Sequence, residues 1–122
     1  MKFIFQFLKF SEMDVAGIDI NMGCPKEFSI KGGMGAALLE DPLKAAAILE
    51  KLVNNLNIPV TCKIRVLSSV EETIKLCQLL ESTGIAAIAI HGRTKNERPQ
   101  HSNRNHFLRE VAKALQIPVI AK

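Results

Sequence analysis

One cysteine, Cys24, stands between a glycine and a proline in the run Asn21-Met22-Gly23-Cys24-Pro25-Lys26. The glycine-rich run Lys31-Gly32-Gly33-Met34-Gly35-Ala36-Ala37-Leu38-Leu39 follows it. Gly23 opens backbone conformations closed to other residues, and Pro25 fixes its own φ. Such a turn, just past a strand, holds a thiol out at the strand end. A thiol so placed can serve as general acid or as nucleophile. The alternative is a small buried hydrophobe. It suits Cys62 and Cys77, on a strand's apolar face and on a helix, better than it suits Cys24.

Lys63 falls in mid-sheet, where an unpaired ammonium is costly. It either pairs with Asp19 or holds an anion or the edge of a cofactor, and the residues alone leave both open. His91 ends a strand before Gly92, as a satisfied core histidine or as a donor to a ligand. Arg93 and Arg98 suit phosphate, although arginine is also common on surfaces. Gly32-Gly33-Met34-Gly35 matches neither the Rossmann nor the Walker spacing. It reads as a loop entering a helix. No metal-ligand spacing is present.

The elements that position these residues alternate strand and helix. Val15–Asn21 is predicted as a strand, with a short helical piece near Gly35–Glu40 after it. Asp41 is a good N-cap with Pro42 at the first helical position. That helix is predicted to about Asn54, with Leu43, Ala47, Ile48 and Leu52 as its apolar stripe. Ile58–Val66 reads as the second strand. Ser69 and Glu72 form a capping box for a helix to about Ser82, which Gly84 stops. Ile85–His91 is the third strand. A helix over about Arg104–Leu115 leads to a fourth strand, Ile117–Ala121.

Asn57-Ile58-Pro59-Val60 recurs as Gln116-Ile117-Pro118-Val119, each time after a helix. A βα series with parallel strands follows, with right-handed crossovers. Strand side chains alternate between faces. Ile18 and Ile20 oppose Asp19 and Asn21. Cys62, Ile64 and Val66 oppose Thr61, Lys63 and Arg65, and Ile88 and Ile90 oppose Ala87, Ala89 and His91. Each strand thus has one apolar face for helices, and a small or polar face that gains functional groups toward its C-terminal end. In a (β/α)8 barrel or a doubly wound sheet, that end holds the ligand. Asn21, Lys63 and His91 therefore converge, with Cys24 just beyond.

The chain has 122 residues, 48% hydrophobic and 23% charged, which is globular composition with room for one small core. No apolar run is long enough to span a bilayer. Residues 1–14 hold four of the six Phe residues and form an atypical segment. Its apolar stretch is short, interrupted by Gln6 and Lys9, and without a small-residue cleavage site, so it does not read as a signal peptide. Three unpaired cysteines point to a reduced, cytoplasmic compartment. Residues 91–109 carry five basic residues and one acid, which accounts for the whole net charge of +4. All three histidines fall in the same segment. Such a stretch suits a polyanion such as RNA, or else a solvated face.

The run from Val15 to Lys26, with Lys31–Leu39, closely resembles the tRNA-dihydrouridine synthases. Pro59-Val-Thr-Cys-Lys-Ile-Arg65 and Ile85-Ala-Ala-Ile-Ala-Ile-His-Gly-Arg93 extend the likeness. Glu97-Arg-Pro-Gln-His101 resembles the eukaryotic branch that acts on position 20 of the D-loop. The resemblance covers residues 15–121. It implies an FMN-dependent (β/α)8 TIM barrel, an oxidoreductase that reduces uridine in tRNA to dihydrouridine with NADPH. It implies that Cys24 protonates C5 of the uracil, that Lys63 and His91 contact FMN, and that Asn21 lies near the flipped base. Arg93 and Arg98 are implied as contacts to RNA or to the flavin phosphate. The flavin supplies the redox chemistry, and the uridine must be extruded to reach it.

The expected fold is about half of such a barrel, with residues 15–122 as the partial barrel domain. The family's first strands and its phosphate-binding loops after strands seven and eight have no counterpart here. An open half barrel leaves sheet edges uncovered, which predicts weak or absent FMN retention and possible self-association through those edges. Two other functions fit part of the pattern. One is another FMN barrel oxidoreductase, resembling dihydroorotate dehydrogenase. The other is a non-catalytic RNA-binding or interaction fragment using the basic segment alone.

Overall fold

The computed structural model describes residues 16–22, 40–94 and 104–121. Strands β1 (Ile18–Asn21), β2 (Val60–Arg65), β3 (Ala87–His91) and β4 (Val119–Ala121) form one sheet in the order β1-β2-β3-β4. Every neighbouring pair is parallel. Helices α1 (Pro42–Asn55), α2 (Val70–Glu81) and α3 (Asn105–Ala114) alternate with the strands after β1. This is the expected parallel architecture, four consecutive strands of a (β/α)8 barrel. Each strand begins about two or three residues later than the sequence pattern predicts. β2 and β4 begin after Pro59 and Pro118, which have no N–H to donate, although the proline carbonyls still accept from the Ile18 and Ile88 N–H groups at 2.9 and 3.1 Å.

The core sits between the sheet and the helices. Ile18, Ile20, Val60, Cys62, Ile64, Ile88 and Ile90 bury one sheet face against Ile48, Leu49, Leu52, Leu76, Cys77, Leu80, Leu108 and Val111. The alternation read from the sequence therefore holds on β1 and β2, while on β3 Ala89, on the opposite face from Ile88 and Ile90, is buried too. Ile64 is wholly buried, and truncating it to alanine would cost about 2–5 kcal/mol.

Helix starts follow the local chemistry. Asp41 Oδ1 accepts from the Lys44 N–H at 3.2 Å, and Pro42 opens α1. The expected apolar stripe of α1 is corrected: Leu43 is 76% exposed and Ala47 is exposed, while Ala45, Ala46, Ile48, Leu49 and Leu52 are buried. The burying face is centred one residue further round, with small alanines next to the sheet and Leu43 outside. Ser69 Oγ accepts from the Glu72 N–H at 3.1 Å, as a capping box requires. Its reciprocal half is altered, because the Glu72 carboxylate accepts from the Ser68 hydroxyl instead, at 2.9 Å. Gly84 ends the α2 turn at φ +94°, a conformation that favours glycine. The helical piece expected near Gly35–Glu40 lies outside the described residues except for Glu40. Segment 1–14 lies wholly outside them.

Candidate functional site

Register brings the predicted residues together. Asn21 is the Cα partner of Lys63, Lys63 of Ala89, and Ala89 of Ile120, so one row of side chains crosses the sheet face opposite the described helices. Two residues toward the strand C-termini, Arg65 pairs with His91. The face forms a concave region of about 430 Å³ lined by Asp19, Asn21, Thr61, Lys63, Ala89 and Ile120. Ala89 leaves space between Lys63 and Ile120, and Ile120, 46% exposed, gives that space an apolar side.

The Lys63 alternatives now separate. The Asp19 carboxylate accepts from the Thr61 hydroxyl at 2.7 Å, one step down the strands. Among the described residues, Lys63 forms no ion pair with a carboxylate, Asp19 included. Among these residues, the ammonium on this face thus has no carboxylate counter-charge.

His91 is half-buried among three cations. Burial lowers its pKa from the ordinary 6.5, and Arg65, Arg93 and Lys63 lower it further. Arg93 Nη1 lies 2.7 Å from His91 Nε2. Arg65 Nη1 donates to the Thr94 carbonyl at 3.2 Å. The site is thus rich in positive charge around an uncharged imidazole, and it suits an anionic or acceptor-bearing ligand.

The other thiols are core. Burial pushes the Cys62 thiol far up, and the Cys77 thiol up to about 12. Neither forms a disulfide. Cys24 and Arg98 lie outside the described residues. The chain leaves β1 toward Cys24 from beside the lysine: the Met22 N–H donates to the Lys63 carbonyl at 2.7 Å. Arg65, Thr61 and Ile120 were not among the predicted site residues. The alternation that exposed Lys63 also put Arg65 and Thr61 on its face. Ile120 required the β4 register, which the pattern of a three-residue strand does not fix. No cluster of His, Cys, Asp or Glu among the described residues could hold a metal ion, and none of their helices is long and apolar enough to cross a membrane.

Consecutive parallel βα units with charged groups gathered at the strand C-termini define a segment of an α/β barrel. The chain belongs to the dihydrouridine synthase family, whose model matches residues 2–122. It is 43% identical over 102 residues to the tRNA-dihydrouridine(20) synthase (NAD(P)+) of Schizosaccharomyces pombe, covering 80% of this chain and 21% of that protein. It is 39% identical over 107 residues to the Saccharomyces cerevisiae protein of the same name, covering 84% and 28%. Against the human tRNA-dihydrouridine(20a/20b) synthase (NAD(P)+)-like protein, identity is 37% over 110 residues, covering 86% and 34%. The chain therefore spans between a fifth and about a third of the length of these relatives.

Among solved structures, YagE, a prophage protein of the dihydrodipicolinic acid synthase family from E. coli K12, superposes with a TM-score of 0.64. Its identity is 21%, over 98% of this chain and 36% of that one. The dihydrodipicolinate synthase of Oceanobacillus iheyensis gives a TM-score of 0.54 at 20% identity, over 87% and 42%. These likenesses concern the fold alone.

Proposed function

We propose that the chain carries part of the active site of a flavin-dependent tRNA-dihydrouridine synthase acting on the D-loop, at position 20. The observation that carries this reading is the register Asn21–Lys63 with Arg65–His91. It gathers residues separated in sequence at one end of one sheet face, within a family whose relatives are named for this reaction. Residues 15–122 are read as a partial barrel domain, and the compartment as the cytoplasm.

The charge of the face supports a reading as part of an FMN site. The Lys63 ammonium, without a carboxylate partner among the described residues, and the Arg65 and Arg93 guanidiniums suit an anion, and Ala89 and Ile120 offer an apolar surface for a flat ring. When bound, FMN would pass hydride from NADPH to C6 of the uracil. Lys63 and His91 hold the flavin, and Asn21 orients the extruded base. The Cys24 Sγ delivers a proton to C5, which saturates the C5–C6 bond. In sum, uridine, NADPH and a proton give dihydrouridine and NADP+. Arg93 and Arg98 are read as contacts to RNA or to flavin phosphate, and tRNA is the polyanion that the basic segment meets.

The test is visible absorption of the purified chain after incubation with FMN and gel filtration, followed by turnover of tRNA lacking dihydrouridine with NADPH. Weak flavin retention is expected, and stoichiometric FMN on this chain would overturn that expectation. Dihydrouridine formed at position 20, and abolished in Cys24→Ala, supports the reaction. Formation that persists in Cys24→Ala removes the cysteine's role.

A further inference from the structure

The turn after β3 is held from several sides. The Val66 N–H donates to the His91 carbonyl at 3.1 Å, and the Arg104 N–H donates to the Gly92 carbonyl at 2.8 Å. Arg65 Nη1 donates to the Thr94 carbonyl at 3.2 Å. Arg93, in the middle of this turn, reaches back to its neighbour on the strand, with Nη1 2.7 Å from His91 Nε2. A guanidinium has donors and no acceptor. Nε2 must therefore accept, and the ring proton sits on Nδ1. Among the described residues, none takes a hydrogen bond from Nδ1.

We propose that Arg65 is a positioning residue: by holding the Thr94 carbonyl it fixes the 92–94 turn, so that Arg93 locks His91 as a neutral imidazole with Nδ1–H as its one free donor. The proposal rests on the reading of His91 as a flavin contact and specifies what that contact is. The ligand atom at His91 is an acceptor, a carbonyl or phosphate oxygen or a ring nitrogen lone pair. His91 gives it a hydrogen bond and not a proton.

The charges around the ring act in the same direction. β2 supplies Lys63 and Arg65, and the turn supplies Arg93. From α3, the Arg104 guanidinium lies over the Phe107 ring, 5.9 Å from its centroid. Each cation near the imidazole opposes its protonation. Arg65 thus has two separable effects, a charge effect that lysine keeps and a geometric one that depends on its planar fork.

The experiment is long-range 1H–15N correlation spectroscopy on the full 15N-labelled chain without flavin, with the His91 signals assigned by their loss in His91→Gln. The wild type is expected to show the Nδ1–H tautomer. In Arg65→Met the ratio of Nδ1–H to Nε2–H should fall about tenfold, the scale of one charge-assisted hydrogen bond. In Arg65→Lys the titration midpoint should stay near that of the wild type while the tautomer preference relaxes. An Nε2–H tautomer in the wild type overturns the proposal, and so does an unchanged tautomer ratio in Arg65→Met. If Arg65→Met fails to fold by circular dichroism, Arg65→Lys and the wild-type tautomer decide. The sample holds no flavin, so a failed lock and a failed flavin site are distinguishable. A locked His91 whose replacement by Gln leaves FMN affinity unchanged would overturn the functional reading alone.

Discussion

Asn21 and Lys63, 42 positions apart, are direct register partners on adjacent parallel strands, and their side chains share the face that none of the described helices covers. The pairing puts an amide beside an ammonium that has no carboxylate partner among the described residues. A cation kept in this way, with Arg65 and Arg93 also acting on the nearby His91, is costly for the fold and useful to an anion. Lys63→Met should therefore weaken FMN by about 10- to 100-fold, the range of a lost charge-assisted contact. The same variant should leave the urea midpoint unchanged or raised, since no ion pair with a described residue is broken. Flavin fluorescence titration and urea unfolding measure the two effects. A parallel loss of both would show that Lys63 holds the sheet and not a ligand.

The pH dependence of stability follows from His91. Its pKa in the folded chain lies below the ordinary 6.5 because of burial and the three cations. Between those two values the unfolded chain binds the proton more readily, so stability rises with pH there. The contribution is complete above pH 6.5 and is lost as pH falls through the folded value. The wild type should thus lose more stability between pH 7.5 and 5.5 than His91→Gln does. Urea midpoints at the two pH values test this, and equal losses would remove His91 as the cause.

The order of elements was legible because each signal was local. Asp41-Pro42 opens α1, Ser69 caps α2, and Gly84 stops it, each through contacts within a few residues. The faces of β1 and β2 were legible because apolar and polar residues alternate, and that of β3 because isoleucines alternate with small alanines up to His91. The stripe of α1 was misread because it is rich in alanine, and alanines at several angles suit a helical face equally well. Arg65 was not picked out because its partner, the Thr94 carbonyl, is a backbone atom 29 residues away, and no side-chain pattern marks it. Ile120 became part of the site only through the register that pairs it with Ala89.

Cys62 and Cys77 are wholly buried, and Cys77 is pushed up to about 12 from an ordinary 9.0. A rise of that size lowers the thiolate fraction at neutral pH by roughly a thousandfold. Neither cysteine should react with iodoacetamide in the native chain, and both should react in denaturant. Cys24, expected from the Gly-Cys-Pro sequence to be held out at the strand end, should be the thiol modified first. Peptide mapping by mass spectrometry after brief native labelling reads the order. Early labelling of Cys62 or Cys77 would mean that the helix layer opens readily from the sheet.

Glu81 is a contact that the sequence did not announce. Its Oε2, at the last residue of α2, accepts from the backbone N–H of Gln116 at 2.7 Å and of Ile117 at 3.0 Å. These two groups lie between α3 and β4, so the carboxylate sets where β4 begins. It thereby sets the position of Ile120 beside Ala89 on the functional face. Removing it leaves two N–H groups to solvent or unpaired, one of them on the half-buried Ile117. Glu81→Ala should cost about 1.5–3 kcal/mol, the range for hydrogen bonds to a charged group. Glu81→Gln keeps an acceptor oxygen and should recover part of the loss. Hydrogen exchange at Ile120 and Ala121 gives the local readout. It should quicken in Glu81→Ala while exchange in β2 stays slow, and uniform quickening would mean that Glu81 supports the whole domain and not β4.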